Sequence, residues 1–158
     1  MGNIFAGSEI VEIGIQIEKN GRDFYSTLAD KTKNVSAGGM FKYLAGEEEK
    51  HIAAFQKILG DMVKYEPPES YPGEYFAYMK ALAGEHIFTQ PDKGKTIAMT
   101  VKTDKQGVEL GIDFEKDSII FYEGMKKSVP EFDRKIVDQL IAQEQEHLRK
   151  LSDLKKTL

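Results

Sequence analysis

The chain writes the same charged residue twice into faces that are otherwise apolar. Residues 15–25 read IQIEKNGRDFY and residues 112–122 read IDFEKDSIIFY, so Glu18 and Glu115 recur in matching frames ninety-seven residues apart. Further along each half stands a Glu-x-x-His: Glu48 with His51 in GEEEKH, and Glu144 with His147 in AQEQEH. Glu18 precedes Glu48 by thirty residues, and Glu115 precedes Glu144 by twenty-nine. At i and i+3 a Glu and a His share a helical face. Any fold of this chain must house four carboxylates and two imidazoles that its own hydrophobic pattern points inward.

That pattern predicts four long helices, at about residues 8–33, 36–63, 104–127 and 130–157, and an all-α fold. The first has Ser8 as a candidate N-cap and a stripe of Ile10, Ile13 or Gly14, Ile17, Gly21, Phe24 and Leu28. The second runs through Phe41, Leu44, Phe55, Ile58 or Leu59, and Met62, and the third through Val108, Gly111, Ile112, Ile119 and Tyr122. The fourth opens at Pro130 behind a Ser128 cap and runs through Val137, Leu140, Leu151, Leu154 and Leu158. Short joins link the first helix to the second and the third to the fourth, whereas about forty residues, 64–103, separate the second from the third. Two tight hairpins and one long connection describe a four-helix bundle with a crossover. A helix of about 25 residues spans roughly 38 Å, which forty residues cross with length to spare. Within the connection, YEPPESYPGEY reads as turns, GEYFAYMKALAG as a short helix, FTQPDKGK as loop and TIAMTV as short strand or coil.

Glu48 and His51 fill the gap between Leu44 and Phe55, and Glu144 and His147 fill the gap between Leu140 and Leu151. Glu18, Glu115 and these four lie near the middles of their helices, which share one plane in an up-down bundle. Four unpaired buried carboxylates would be ruinous: each desolvated ion costs several kcal/mol, against a total stability of about 5–15 kcal/mol. Two divalent cations would neutralise them. A single Glu-x-x-His on a helix is weak evidence, because solvated helix faces are rich in Glu. Two of them inside apolar stripes, at matching distances from two matching Glu residues, are not explained as solvated faces.

The repeat also selects among neighbours. GEEEKH offers Glu47, Glu48 and Glu49, but AQEQEH has Gln143, Glu144 and Gln145 in those places, so only Glu48 has a carboxylate counterpart; Glu47 and Glu49 are expected at the rim or in solvent. Tyr25 and Tyr122 follow Glu18 and Glu115 by seven residues on the same face. They are candidates to donate hydrogen bonds to ligand carboxylates, with an amphipathic core tyrosine as the alternative. His86 has Ala83, not Glu, three residues earlier and reads as a linker histidine.

Composition narrows the chemistry. The 158 residues contain no cysteine, which excludes disulfides, thiolate zinc sites, iron–sulfur clusters and cysteine nucleophiles, so any metal is bound by nitrogen and oxygen. The net charge of −4 without a basic block argues against nucleic acid as a partner. No apolar run approaches the length of a membrane span, and the N-terminus lacks a signal-peptide pattern, so no membrane partner and a cytoplasmic location are expected.

Two halves of Glu plus Glu-x-x-His resemble the ferritin-like di-iron-carboxylate proteins, whose ligand plan is a Glu from each of two helices and a Glu-x-x-His from each of the other two. The wording IEKNGRDFY, FEKDSIIFY, EEEKH and EQEHL is most similar to the rubrerythrin branch. The resemblance spans all four long helices. It implies a ferritin-like bundle holding two iron ions, with manganese as the alternative metal. Glu48 and Glu144 would bridge, with Glu18 and His51 at one end and Glu115 and His147 at the other. It implies a peroxidase or oxidoreductase acting on hydrogen peroxide or dioxygen, in a homodimer; iron binding, ferroxidase or storage activity and a di-manganese catalase are the alternatives. Two departures stand out. The chain has no cysteine for a rubredoxin domain, so electrons are expected from a separate electron donor protein or a small reductant. And the position three residues after the third-helix ligand, a further Glu in most rubrerythrins, is Ser118.

Overall fold

The computed structural model describes residues 7–65, 73–86 and 88–158, and every secondary-structure element in them is helical. Six α-helices follow one another: α1 (Gly7–Lys31), α2 (Val35–Tyr65), α3 (Gly73–Glu85), α4 (Lys93–Thr100), α5 (Asp104–Met125) and α6 (Arg134–Lys155). The four long ones form the expected bundle, and α3 and α4 belong to the crossover. The turn-rich YEPPES stretch falls largely outside the described residues.

Helix directions follow from close approaches. A side chain at Gly7, the start of α1, would meet Met62 near the end of α2 and the Ser128 carbonyl just past α5. One at Gly107, near the start of α5, would meet Leu28 near the end of α1. Thus α1 and α5 are antiparallel while α2 and α5 run parallel, and the chain must travel the length of the bundle between them. That requirement explains the long connection.

The helix starts differ in detail from the sequence expectation. Asn34, not Ser36, caps α2, its Oδ1 accepting from the Ala37 N–H at 3.0 Å. Ser8 lies inside the first turn of α1. Ser128 donates back to the Met125 carbonyl, and α6 begins only at Arg134. A 3₁₀ turn at Glu131–Asp133 separates Pro130 from α6. On α5 the buried face is carried by Phe114 and Phe121, and Ile112 and Ile119 are only partly buried.

TIAMTV is neither strand nor coil: residues 96–100 lie in α4. Gly94 opens this helix so close to α1 that any side chain there would run into the Asn20 carbonyl. Buried Asn20 fastens the segment, donating to the Phe88 carbonyl at 2.5 Å and the Gln90 carbonyl at 2.6 Å and accepting from the Gly94 N–H at 3.1 Å. At the other end Lys31 donates to the carbonyls of Ala98, Met99 and Val101, closing the C-terminal groups that an α-helix leaves open. The crossover is therefore clamped to α1 at both ends of α4, and the first clamp stands two residues from Glu18.

Candidate metal centre

Small residues let the four long helices approach closely around the middle of the bundle. A Cβ at Gly21 would stand 2.6 Å from the Phe114 ring and 3.3 Å from Glu48, and one at Gly111 would stand 3.2 Å from the Tyr25 hydroxyl. Into this space α1 brings Glu18, α2 Glu48 and His51, α5 Glu115, and α6 Glu144 and His147. All six are essentially inaccessible to solvent.

Their ligand atoms form two overlapping groups, each gathered within 4.8 Å. Glu18, Glu48, His51 and Glu144 make one, and Glu48, Glu115, Glu144 and His147 make the other. Glu48 and Glu144 belong to both. This geometry is that of two ligand sets sharing two carboxylates. The imidazoles lie 5.6 Å apart, nearly parallel. His51 Nδ1 stands 2.8 Å from Glu144 and 3.5 Å from Glu18, and His147 Nδ1 stands 3.5 Å from Glu144, 3.6 Å from Glu48 and 3.7 Å from Glu115. Both rings thus turn Nδ1 inward.

Many of the buried polar atoms gathered here lack partners. Both Nδ1 atoms, both oxygens of Glu48 and of Glu144, and one oxygen each of Glu18 and Glu115 are buried without a properly formed hydrogen bond. Native interiors leave few such atoms. Here they converge on one place, and hard oxygen donors with imidazole nitrogens are a donor set for a divalent transition metal. Without one, the site has to balance its charge with protons. Burial and next the neighbouring Glu144 push Glu18 up to about 7. Glu144 itself is held down to about 2, its burial outweighed by His51 and His147. His51 rises to about 10, because Glu18 and Glu144 outweigh its burial.

The remaining oxygens are occupied by the two tyrosines. Tyr25 donates to Glu115 at 2.9 Å, and Tyr122 donates to Glu18. Each tyrosine therefore serves the Glu of the other half, and each is fully buried. Outside the ligand groups, His51 Nε2 lies 2.8 Å from Gln143, and His147 Nε2 lies 3.9 Å from Glu47. Glu47 is at the rim, as expected from the repeat, while Glu49 is exposed and pairs with Arg22. A cleft of about 220 Å³ between α2 and α6, lined by Glu47, Lys50, Gln139 and Gln143 among others, reaches His51 from the surface.

Sequence reasoning passed over three residues here. Gln143 and Glu47 differ in type, so the repeat did not mark them as a pair. His86 is not an ordinary linker residue: it is 4% exposed, packs edge-on against Phe114 at 5.8 Å and reaches Ser118 at 3.3 Å.

A four-helix bundle with a long crossover, closed around two sets of carboxylate and imidazole donors that share two glutamates, defines a ferritin-like protein of the di-metal-carboxylate class. The family model for rubrerythrin matches residues 9–155, and the chain belongs to the rubrerythrin family. Among solved structures it is similar to a Thermotoga maritima protein provisionally described as a ferritin-like diiron-carboxylate protein. That match has 28% sequence identity and a TM-score of 0.72, covering 99% of this chain and 98% of the other. No curated protein matches the chain. Among the described residues, no helix is long and apolar enough to cross a membrane.

Proposed function

We propose that the protein is a non-haem di-iron oxidoreductase that reduces hydrogen peroxide or dioxygen with electrons from a separate donor protein. The observation that carries this reading is the convergence of unsatisfied buried oxygens and Nδ1 atoms from all four long helices on one place. Glu18 with His51 would hold one ion, Glu115 with His147 the other, and Glu48 and Glu144 would span both. When bound, a ferrous pair supplies two electrons to an O–O bond; with two protons, hydrogen peroxide becomes two molecules of water.

The chain's own residues prepare for that chemistry. Four carboxylates match the charge of two divalent ions. Tyr25 and Tyr122 hold one oxygen of Glu115 and of Glu18, which leaves the other free for a metal. Phe55 packs on Tyr122, and Phe41 and Phe114 pack on Tyr25, so apolar rings surround both tyrosines. The cleft at His51 is wide enough for a small oxidant and bordered by Lys50 and Glu47. With no cysteine in the chain, the reducing equivalents come from outside it. We place the protein in the cytoplasm as a homodimer.

Ser118 favours a second reading. It stands where most relatives would offer another carboxylate, so the donor set stops at four Glu and two His, a set that also suits ferroxidase chemistry with dioxygen as oxidant, or a manganese pair. One experiment separates the readings. Load the protein anaerobically with two ferrous ions per chain, mix with peroxide or with oxygen in stopped flow, and follow oxidation. Faster oxidation by peroxide, with turnover only when a donor is supplied, is expected. Equal rates, or faster oxidation by oxygen, would replace the peroxidase reading with the ferroxidase one.

A further inference from the structure

The crossover places one buried histidine beside the centre, and its hydrogen bonds have a direction. The Phe88 N–H donates to His86 Nδ1 at 3.1 Å, so Nδ1 is an acceptor and the ring hydrogen sits on Nε2. Nε2 faces the Ser118 hydroxyl at 3.3 Å and can only donate to it. Ser118 stands one helical turn before Tyr122 on the same buried face of α5, which sets its hydroxyl beside the phenol. Tyr122 donates to Glu18 Oε1. The ring N–H of His86 thus donates to Ser118, and Tyr122, the next residue on that face of α5, donates to a carboxylate of the proposed centre.

The other half has nothing equivalent. The position matching Ser118 is Gly21, where the Phe114 ring leaves no room for a side chain. Tyr25 reaches Glu115 without a hydroxyl behind it on α1. The arrangement is also held firmly. Asn20 ties down the backbone at Phe88, and Phe88 packs against Phe24 at 5.2 Å and Phe114 at 4.8 Å. Burial pushes His86 down to about 4, against the pull of Glu144, so the ring stays neutral and keeps a single donor.

We infer that His86 is a positioning residue for the Glu18 end of the metal centre, fixing through Ser118 and Tyr122 the oxygen that Glu18 presents to a metal, and that the crossover thereby tunes one ion of the pair and not the other. The inference rests on the metal reading above. A group that orients a ligand in this way changes metal affinity by about 10–100-fold when it is removed.

Cobalt(II) tests it without reference to turnover, because its visible ligand-field bands report each end directly. In a His147→Ala background only the Glu18–His51 end keeps its imidazole, and in a His51→Ala background only the Glu115–His147 end does. Ser118→Ala and His86→Phe should each weaken cobalt binding about tenfold in the first background and leave the second unchanged. They should also shift the cobalt bands only in the first. His86→Gln offers an N–H near the place of Nε2 and should restore most of the affinity. The double variant should be no weaker than either single one, since both break the same chain of bonds. A general loosening of the bundle would weaken both backgrounds together, and that result overturns the inference. Unchanged affinity for Ser118→Ala in both backgrounds also overturns it. Ser118→Ala removes one oxygen atom and keeps the test valid if His86→Phe folds poorly. Glu144→Ala is the control for the underlying reading: if it still takes up two cobalt ions, the metal reading fails and the inference falls with it. If it loses them while Ser118→Ala binds normally, only the inference fails.

Discussion

The two halves of this chain supply equivalent ligands in unequal surroundings. Glu18 and Glu115 each accept from a tyrosine of the opposite half, and His51 and His147 each turn Nδ1 inward. Beyond those atoms the likeness ends. The Glu18 end has Ser118 and His86 behind its tyrosine and a neutral amide, Gln143, at the outer nitrogen of its histidine. The Glu115 end has no hydroxyl behind its tyrosine and a carboxylate, Glu47, 3.9 Å from the outer nitrogen of its histidine. The repeat therefore explains the donor set, while the differences between the halves would give two bound ions unequal surroundings.

The largest expected effect erases the comparison. Glu144 belongs to both ligand groups, so Glu144→Ala should abolish paired metal binding and the fast oxidation phase, with metal content falling from two ions per chain to one or none. Elemental analysis after anaerobic loading checks it. A variant that keeps both ions would show that the ends do not share Glu144.

Forcing the halves to match at the glycine comes next. Gly21→Ala would put a methyl group 2.6 Å from the Phe114 ring and 3.3 Å from Glu48. Overpacking of this kind costs about 1–3 kcal/mol. Chemical denaturation of the metal-free protein should report that loss. Ser118→Ala, the corresponding change in the second half, removes an atom and adds none, and should cost less. Equal losses would mean that α1 and α5 do not meet as closely at Gly21 as the helix packing requires.

How far these features could be read from sequence depends on whether they repeat. The ligands and the tyrosines recur at one spacing in two apolar stripes, and the repeat singles out Glu48 from its neighbours. The four long helices were legible for the same reason. The crossover has no counterpart in the other half, so nothing marked TIAMTV as helix or His86 as buried. Its order comes from Asn20 and Lys31, contacts about seventy residues apart that only the folded bundle creates. Gln143 and Glu47 were obscured because they occupy corresponding places with different chemistry. On α5 the sequence stripe runs through Ile112 and Ile119, whereas the interior takes the larger Phe114 and Phe121.

A smaller effect should come from exchanging the groups at the outer nitrogens. A carboxylate behind a ligating imidazole makes it a better donor, at about tenfold or more in affinity. At 3.9 Å the Glu47 contact is loose, so several-fold is expected. Glu47→Gln should weaken the His147 end, and Gln143→Glu should strengthen the His51 end. Stepwise cobalt titration of both variants would show the order of loading even out or reverse. No change in either step would mean that the outer nitrogens do not distinguish the ions.

The smallest effect is a difference in slope against pH, and it sets the half that carries a histidine behind its tyrosine against the ligands themselves. In the metal-free protein, burial and Glu144 raise Glu18 from 4.5 to about 7, so the unfolded chain releases that proton first and stability falls as pH rises through the interval. Burial lowers His86 from 6.5 to about 4, with Glu144 opposing, so the unfolded chain holds that proton longer and stability grows as pH rises through nearly the same interval. His51 is raised from 6.5 to about 10, its burial outweighed by Glu18 and Glu144. Its contribution is complete below 6.5 and is lost as pH climbs through 10. His147 is raised too, Glu144 outweighing its burial, and acts in the same direction. The wild-type protein without metal should therefore change little between about pH 5 and 6.5 and lose stability steadily above about pH 7. His86→Phe removes the opposing titration, so its stability should fall from about pH 5 onward. Urea midpoints of the two proteins measured across that range give the answer: curves that diverge as pH rises from 5 to 6.5 are expected, and parallel curves would mean that His86 does not offset Glu18.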